Sequence, residues 1–123
     1  MIERRHLEVN DSQVIGNTPV ETQGMAVFVQ NHCDVEVRIS FLGSSDGEAY
    51  AAISSSRAGA AAAETHLVAP GGRAILAFGP IPDADAAKAY LKIKVERKIG
   101  TDTYVEGLQG VVGLDLFQFH KSI

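Results

Sequence analysis

Apolar and polar residues take turns along two stretches of this chain, and no other feature limits its fold as tightly. Between Asp34 and Leu42, Val35, Val37, Ile39 and Phe41 alternate with Glu36, Arg38 and Ser40. Between Lys88 and Ile99, Leu91, Ile93, Val95 and Ile99 alternate with Lys92, Lys94, Glu96 and Lys98, and Arg97 interrupts the apolar side. Successive side chains of a strand point to opposite faces, so each stretch reads as a strand with one dry and one wet side. A helix would space its apolar residues by three or four instead.

Further strands follow from weaker patterns. Met25–Gln30 and Arg73–Phe78 are apolar on both faces, as central strands are. Leu108–Phe119 is a long candidate in which Gly110 and Gly113 suggest a bulge or bend. His6–Val9, Gln13–Ile15 and Glu64–Val68 are shorter candidates. Turn residues punctuate the series: Gly43–Gly47 with its Asp-Gly pair, Pro70-Gly71-Gly72 read as a hairpin turn, and Gly100-Thr101-Asp102. Strands broken by turns about every 8–12 residues indicate a sandwich or barrel. The expected fold is therefore all-β, an antiparallel β-sandwich of immunoglobulin-like or jelly-roll-like kind. One short helical turn fits the pattern as well. Asp83 is placed to cap such a turn through Lys88, and the alanine-rich Ala58–Glu64 is a second helical candidate that Gly59 weakens.

With 123 residues the chain is expected to build one core. Residues 1–24 hold few large apolar groups and read as an N-terminal arm or short edge strands, with 25–123 as a single β-sandwich domain. Charge sits where a signal peptide needs an apolar segment, so no signal peptide is expected. No run approaches the length that spans a bilayer. The expectation is a product that is cytoplasmic when synthesised, or part of an assembled particle, with no membrane association. The 11 basic and 15 acidic side chains give a net charge of −4, which disfavours nucleic-acid binding. Lys88, Lys92, Lys94, Arg97 and Lys98, with Tyr90 and Tyr104 nearby, form the only basic concentration. A solvated strand whose lysines block edge aggregation explains it more simply than a single-stranded nucleic-acid groove.

Reactive residues are scattered. His6, His32, His66 and His120 form no metal-binding spacing, and the lone Cys33 permits neither an intrachain disulfide nor a cysteine zinc cage. His32 and Cys33 are adjacent, so in a strand they face opposite ways, and Cys33 reads as a buried structural residue. Asp83 and Asp85 lack the rest of a calcium loop. Ser54-Ser55-Ser56 lacks a nucleophile-elbow context, and Pro70–Arg73 lacks a phosphate-binding pattern. No catalytic residue, metal or cofactor is expected, and the protein is not expected to be an enzyme.

Leu67–Arg73 followed by an apolar strand resembles the turn-and-strand pieces of immunoglobulin-like sandwiches, although the paired cysteines and tryptophan of true immunoglobulin domains are absent. Candidate partner-contact residues are Phe117 and Phe119, an apolar pair beside the C-terminus, with Tyr90 and Tyr104. The leading functional expectation is a non-catalytic structural protein that self-associates or binds protein partners. It would be a small sandwich subunit of a larger symmetric complex such as a viral or phage particle, in a capsid-decoration or tail position. The alternative is a sandwich module that binds carbohydrate or peptide through loops at Gly43–Glu48 and Ile81–Ala87.

Overall fold

The computed structural model describes residues 2–17, 22–44, 46–78 and 90–120, with the backbone alone at 2, 3, 17, 22, 23, 78, 119 and 120. Twelve strands run through these residues: β1 (Ile2–Val9), β2 (Gln13–Asn17), β3 (Thr22–Asn31), β4 (Val37–Ser44), β5 (Ala51–Ile53), β6 (Ser55–Arg57), β7 (Ala60–Ala63), β8 (Thr65–Val68), β9 (Arg73–Phe78), β10 (Tyr90–Lys98), β11 (Tyr104–Glu106) and β12 (Val112–His120). They form two antiparallel sheets that pack face to face as a β-sandwich. The first sheet has the order β1-β12-β3-β9-β6-β7. The second has the order β11-β10-β4-β5, with β2 beside β11 along β10 and β8 beside β5 along β4.

The alternation in the sequence is what fills the space between the sheets. Val37, Ile39 and Phe41 of β4, and Leu91, Ile93 and Val95 of β10, are fully buried. They meet Val27 and Val29 of β3, Leu76 of β9, and Val112, Leu114 and Leu116 of β12. Burying each such side chain contributes roughly 1.5–3 kcal/mol, so this interior supplies most of the stabilisation. Val35 and Ile99 share the alternation but not the interior. Val35 lies before β4 begins and is 38% exposed, while Ile99 lies past the end of β10 at 58%. Periodicity continued into the connections, where no facing sheet remained to cover it.

Three other expectations are corrected. Ala58–Glu64 is not helical: Ala60–Ala63 forms β7, paired with β6, after a turn in which Gly59 takes a φ of +83°. Cross-strand pairing outweighs the helical preference of alanine there. Pro70-Gly71-Gly72 is not a hairpin turn, because β8 belongs to the second sheet and β9 to the first. Leu108–Phe119 is not one strand: the chain turns at Gly110, with φ +124°, and β12 starts at Val112. The helical turn placed at Asp83–Lys88, like Asp85, lies outside the described residues.

Buried polar contacts also bind the layers. Asn31, fully buried at the end of β3, directs its side-chain amide nitrogen to the carbonyls of Val35 (2.9 Å), Val68 (3.1 Å) and Ala69 (3.1 Å). Its amide oxygen accepts from the Cys33 N–H at 2.8 Å. Its backbone exchanges bonds with Gly71 and Gly72, so one residue ties together two of the sheet-to-sheet crossings at this end of the sandwich, β3 to β4 and β8 to β9. At the side, His66 of β8 meets Ser55 of β6 across the two sheets, Nε2 to Oγ 2.8 Å, with both residues buried. Burial, and secondarily the Arg57 charge, lower the pKa of His66 and favour its neutral form.

Two outcomes follow. Asn31→Ala strips the partner from several buried backbone groups and should lower unfolding free energy by about 3 kcal/mol in urea titrations, with Asn31→Asp costing more because a carboxylate would face carbonyls. The unfolded chain binds a proton at His66 more readily than the folded one. Its contribution is therefore complete above pH ~6.5 and is lost as the pH falls from there toward the lowered native value. The urea midpoint should drop on acidification through that window, and should drop less in His66→Gln.

Candidate functional site

The outer face of the first sheet carries the candidate site, and strand register assembles it. One row across the strands runs His6, Asp115, Phe28, Ile75, and the next runs Glu8, Gly113, Gln30, Arg73. Gly113 contributes no side chain, so a hollow of about 390 Å³ opens above it. The hollow is bounded by His6, His32, Gln30, Arg73, Phe28, Ile75 and Asp115. A Cβ built on Gly113 would lie 3.4 Å from His32 Nε2 and 3.9 Å from His6 Cε1, which places both imidazoles at its rim. Phe28 and Ile75 are 45% and 46% exposed and directly opposed in register, which makes a contiguous apolar pair on this outer face.

The acidic corner of the hollow is already satisfied. Asp115 Oδ1 lies 2.9 Å from His6 Nδ1 and 3.5 Å from the Arg4 guanidinium. The His6 hydrogen bond, more than Arg4, holds the Asp115 carboxyl below the usual carboxylate range. By contrast Arg73, Gln30 and the His32 ring make no side-chain hydrogen bond or ion pair among the described residues.

The outer face of the second sheet is a closed network. Arg38 forms a two-pronged pair with Glu96, at 3.0 and 2.9 Å, and lies over the Tyr104 ring at 4.4 Å. The Tyr104 hydroxyl donates to Glu36, which raises its pKa, while the Arg38 hydrogen bonds lower that of Glu96. Lys94 approaches Glu106 at 3.9 Å, Lys92 lies over the Tyr50 ring, and Arg97 donates to the Gly107 carbonyl. Every described cation of the basic strip except Lys98 thus has an internal partner.

The expected contact residues fall on different faces. Phe117 is half-buried on the outside of the first sheet, 5.2 Å from the Phe28 ring and beneath Arg4. Tyr90 packs near Gly47 at one end of β10, while Tyr104 stands opposite Lys98 at the other end. The side chains of Phe119 and His120 lie outside the description. His6 and His32 converge at Gly113, but His66 sits in the sandwich interior. Cys33 is buried, and burial raises its thiol pKa, the reverse of what a nucleophile needs. Among the described residues no three His, Cys, Asp or Glu side chains group to hold a metal ion. In the Gly43–Glu48 loop, Asp46 spends its carboxylate on the Glu48 and Ala49 N–H groups and the Ser44 hydroxyl, which pulls its pKa to about 2. The Ile81–Ala87 loop lies outside the description. In the sequence Gly113 suggests a bulge or bend; a glycine inside a strand also marks a bare patch of backbone, and that is the signal that points to the hollow.

An antiparallel β-sandwich with an outer-face hollow is the class these features define. No family model matches the sequence, and a search of curated proteins returns no match. Among solved structures, the SPBc2 prophage-derived protein YomS is similar in fold, with TM-score 0.58 and 10% identity over 96% of this chain and 94% of that one. A chain from a structure of Bacillus endospore appendages, described as disulfide-linked pili, gives TM-score 0.45 and 14% identity over 98% of this chain and 88% of that one, too distant to define a fold. No helix among the described residues is long and apolar enough to cross a membrane.

Replacing His6 by Ala should raise the titration midpoint of Asp115 toward the ordinary carboxylate range, as followed by carboxyl-carbon NMR. An unmoved midpoint would assign the lowering to Arg4.

Proposed function

We propose that the chain is a non-catalytic subunit of a larger repeating assembly, joined to its neighbours through the edges of the first sheet. The direction of the edge strands carries the reading. All neighbours in the six-stranded sheet are antiparallel, so β1 and β7 run in opposite directions. A second copy displaced along the sheet therefore presents its β1 antiparallel to β7 of the first, and pairing continues without a reversal. Among the described residues, neither strand has a neighbour on its outer side.

Sequence supports that use of β7. Ala60–Ala63 carries no charge and no proline, the devices with which sheets guard their edges. Its contact with β1 joins unlike surfaces, and such contacts build rings or open filaments rather than closed pairs. A phage-type particle, with the chain as a decoration or tail component, is the kind of object proposed. The fold shared with a prophage-derived protein accords with it, although the argument rests on the edges.

No catalytic role enters this reading. The Ser55–His66 pair is sealed inside the sandwich, Cys33 is buried, and His6–Asp115 has no nucleophile at hand among the described residues. A second reading, ligand binding, is favoured by one observation, the hollow over Gly113.

Light scattering and sedimentation of the purified chain should show mass growing with concentration. Ala61→Lys and Ala62→Lys place charge on β7 at exposed positions and should reduce that growth while leaving the far-UV circular-dichroism spectrum unchanged. A β7-blocked chain still offers β1, so mixing it with wild type should shorten the assemblies. A wild type that stays monomeric at every concentration, or lysine variants that assemble as wild type does, would refute the reading.

A further inference from the structure

We infer that the hollow over Gly113 binds a small organic carboxylate carrying an aromatic or branched apolar group, with Arg73 as the principal partner of the anion. Its anion-binding and apolar groups lie on the outer face of β3 and β9 above Gly113 of β12, not on the paired edges, and its test reads ligand binding rather than assembly.

Three properties of the hollow select this chemistry. Its volume of about 390 Å³ suits a small organic molecule and lies at the lower end of the usual range for ligand sites. Its polar groups are unevenly committed: Asp115 is engaged by His6 and Arg4, whereas the Arg73 guanidinium and the Gln30 amide, next to each other in register, have no partner among the described residues. A guanidinium offers a planar fork of donors that matches a carboxylate through two parallel hydrogen bonds. Arg73 thus supplies the charge, Gln30 an adjacent N–H donor, and His32 at the rim a further ring nitrogen. The third property is apolar. Phe28 and Ile75 occupy the next row on the same two strands that carry Gln30 and Arg73. A ligand whose carboxylate meets Arg73 would lay its apolar group on that exposed pair, and bare backbone at Gly113 leaves room for it. A second cation is disfavoured by Arg73, and a purely apolar ligand would leave the guanidinium desolvated without a partner.

The other candidates in the molecule offer less. The outer face of the second sheet spends its charges on itself, the Asp46 loop is internally saturated, and the His66–Ser55 pair has no opening.

Two probes share the proposed chemistry and distinguish its sources: phenylacetate as a free acid, and N-acetylphenylalanine as a mimic of a peptide C-terminus. N-acetylphenylalaninamide serves as the neutral control. Titration into the nitrogen-15-labelled chain should move the amide signals of Phe28, Arg73, Ile75 and Gly113, and the amide control should move none of them. Arg73→Gln should weaken binding about tenfold or more, the size expected for losing a charge-assisted pair. Gly113→Val fills the hollow while keeping Arg73, and should abolish binding with the sheet intact by circular dichroism. Tighter binding of N-acetylphenylalanine assigns the site to peptide C-termini, and tighter binding of phenylacetate assigns it to free acids. Silence with both acids, equal binding of the amide, or an Arg73→Gln variant that binds as wild type does would overturn the inference.

Discussion

One buried amide governs how the two sheets are held at one end of this molecule. Asn31 ends a central strand of the first sheet and reaches the carbonyls of Val68, at the end of β8 in the second sheet, and of Val35 and Ala69 in the connections between the sheets. The apolar interior drives the sheets together but has no direction, so it does not choose which crossing sits where. Hydrogen bonds do. An unpaired buried carbonyl costs about 1–3 kcal/mol, so any register that loses Asn31 loses several such bonds together. Removing a whole side of the network is therefore felt by both sheets.

The same architecture explains what is left over for function. The first sheet gives one face to the core, and the alternation that builds that face sends Phe28, Ile75, Phe117 and Asp115 outward. It ends in two open edges of opposite direction. The second sheet neutralises its outer charges through Arg38, Glu96, Glu36 and Tyr104, which makes it the quieter surface. Buried acids such as Glu96 are tolerated only with such partners, because desolvation otherwise outweighs the attraction. The contacts proposed for this chain thus all fall on one sheet, at its edges and in the hollow on its face.

The sandwich was legible because period two is a local property. Val37, Ile39, Phe41, Leu91, Ile93 and Val95 announce their dry face within a few residues of sequence. What could not be read is what depends on partners far along the chain. Asn31 looks like any polar residue at the end of a strand until the Val68 carbonyl arrives beside it. Ser55 and His66 join only because Ser54 and Glu64 each carry the chain from one sheet to the other. The hollow draws on residues 6, 28, 32, 75 and 113, which meet solely through strand order. Local preference misled in the alanine run, where the neighbouring strand rather than the residue type decided the conformation.

Native-state hydrogen exchange tests the central claim most directly. If Asn31 holds the crossings, then the amides of Asn31, His32, Cys33 and Gly71 exchange only when the whole molecule unfolds, with the same protection free energy as Val27 and Leu114 in the core. Exchange at those four sites through local opening, as easily as in the exposed Ala58–Ala62 segment, would contradict the account.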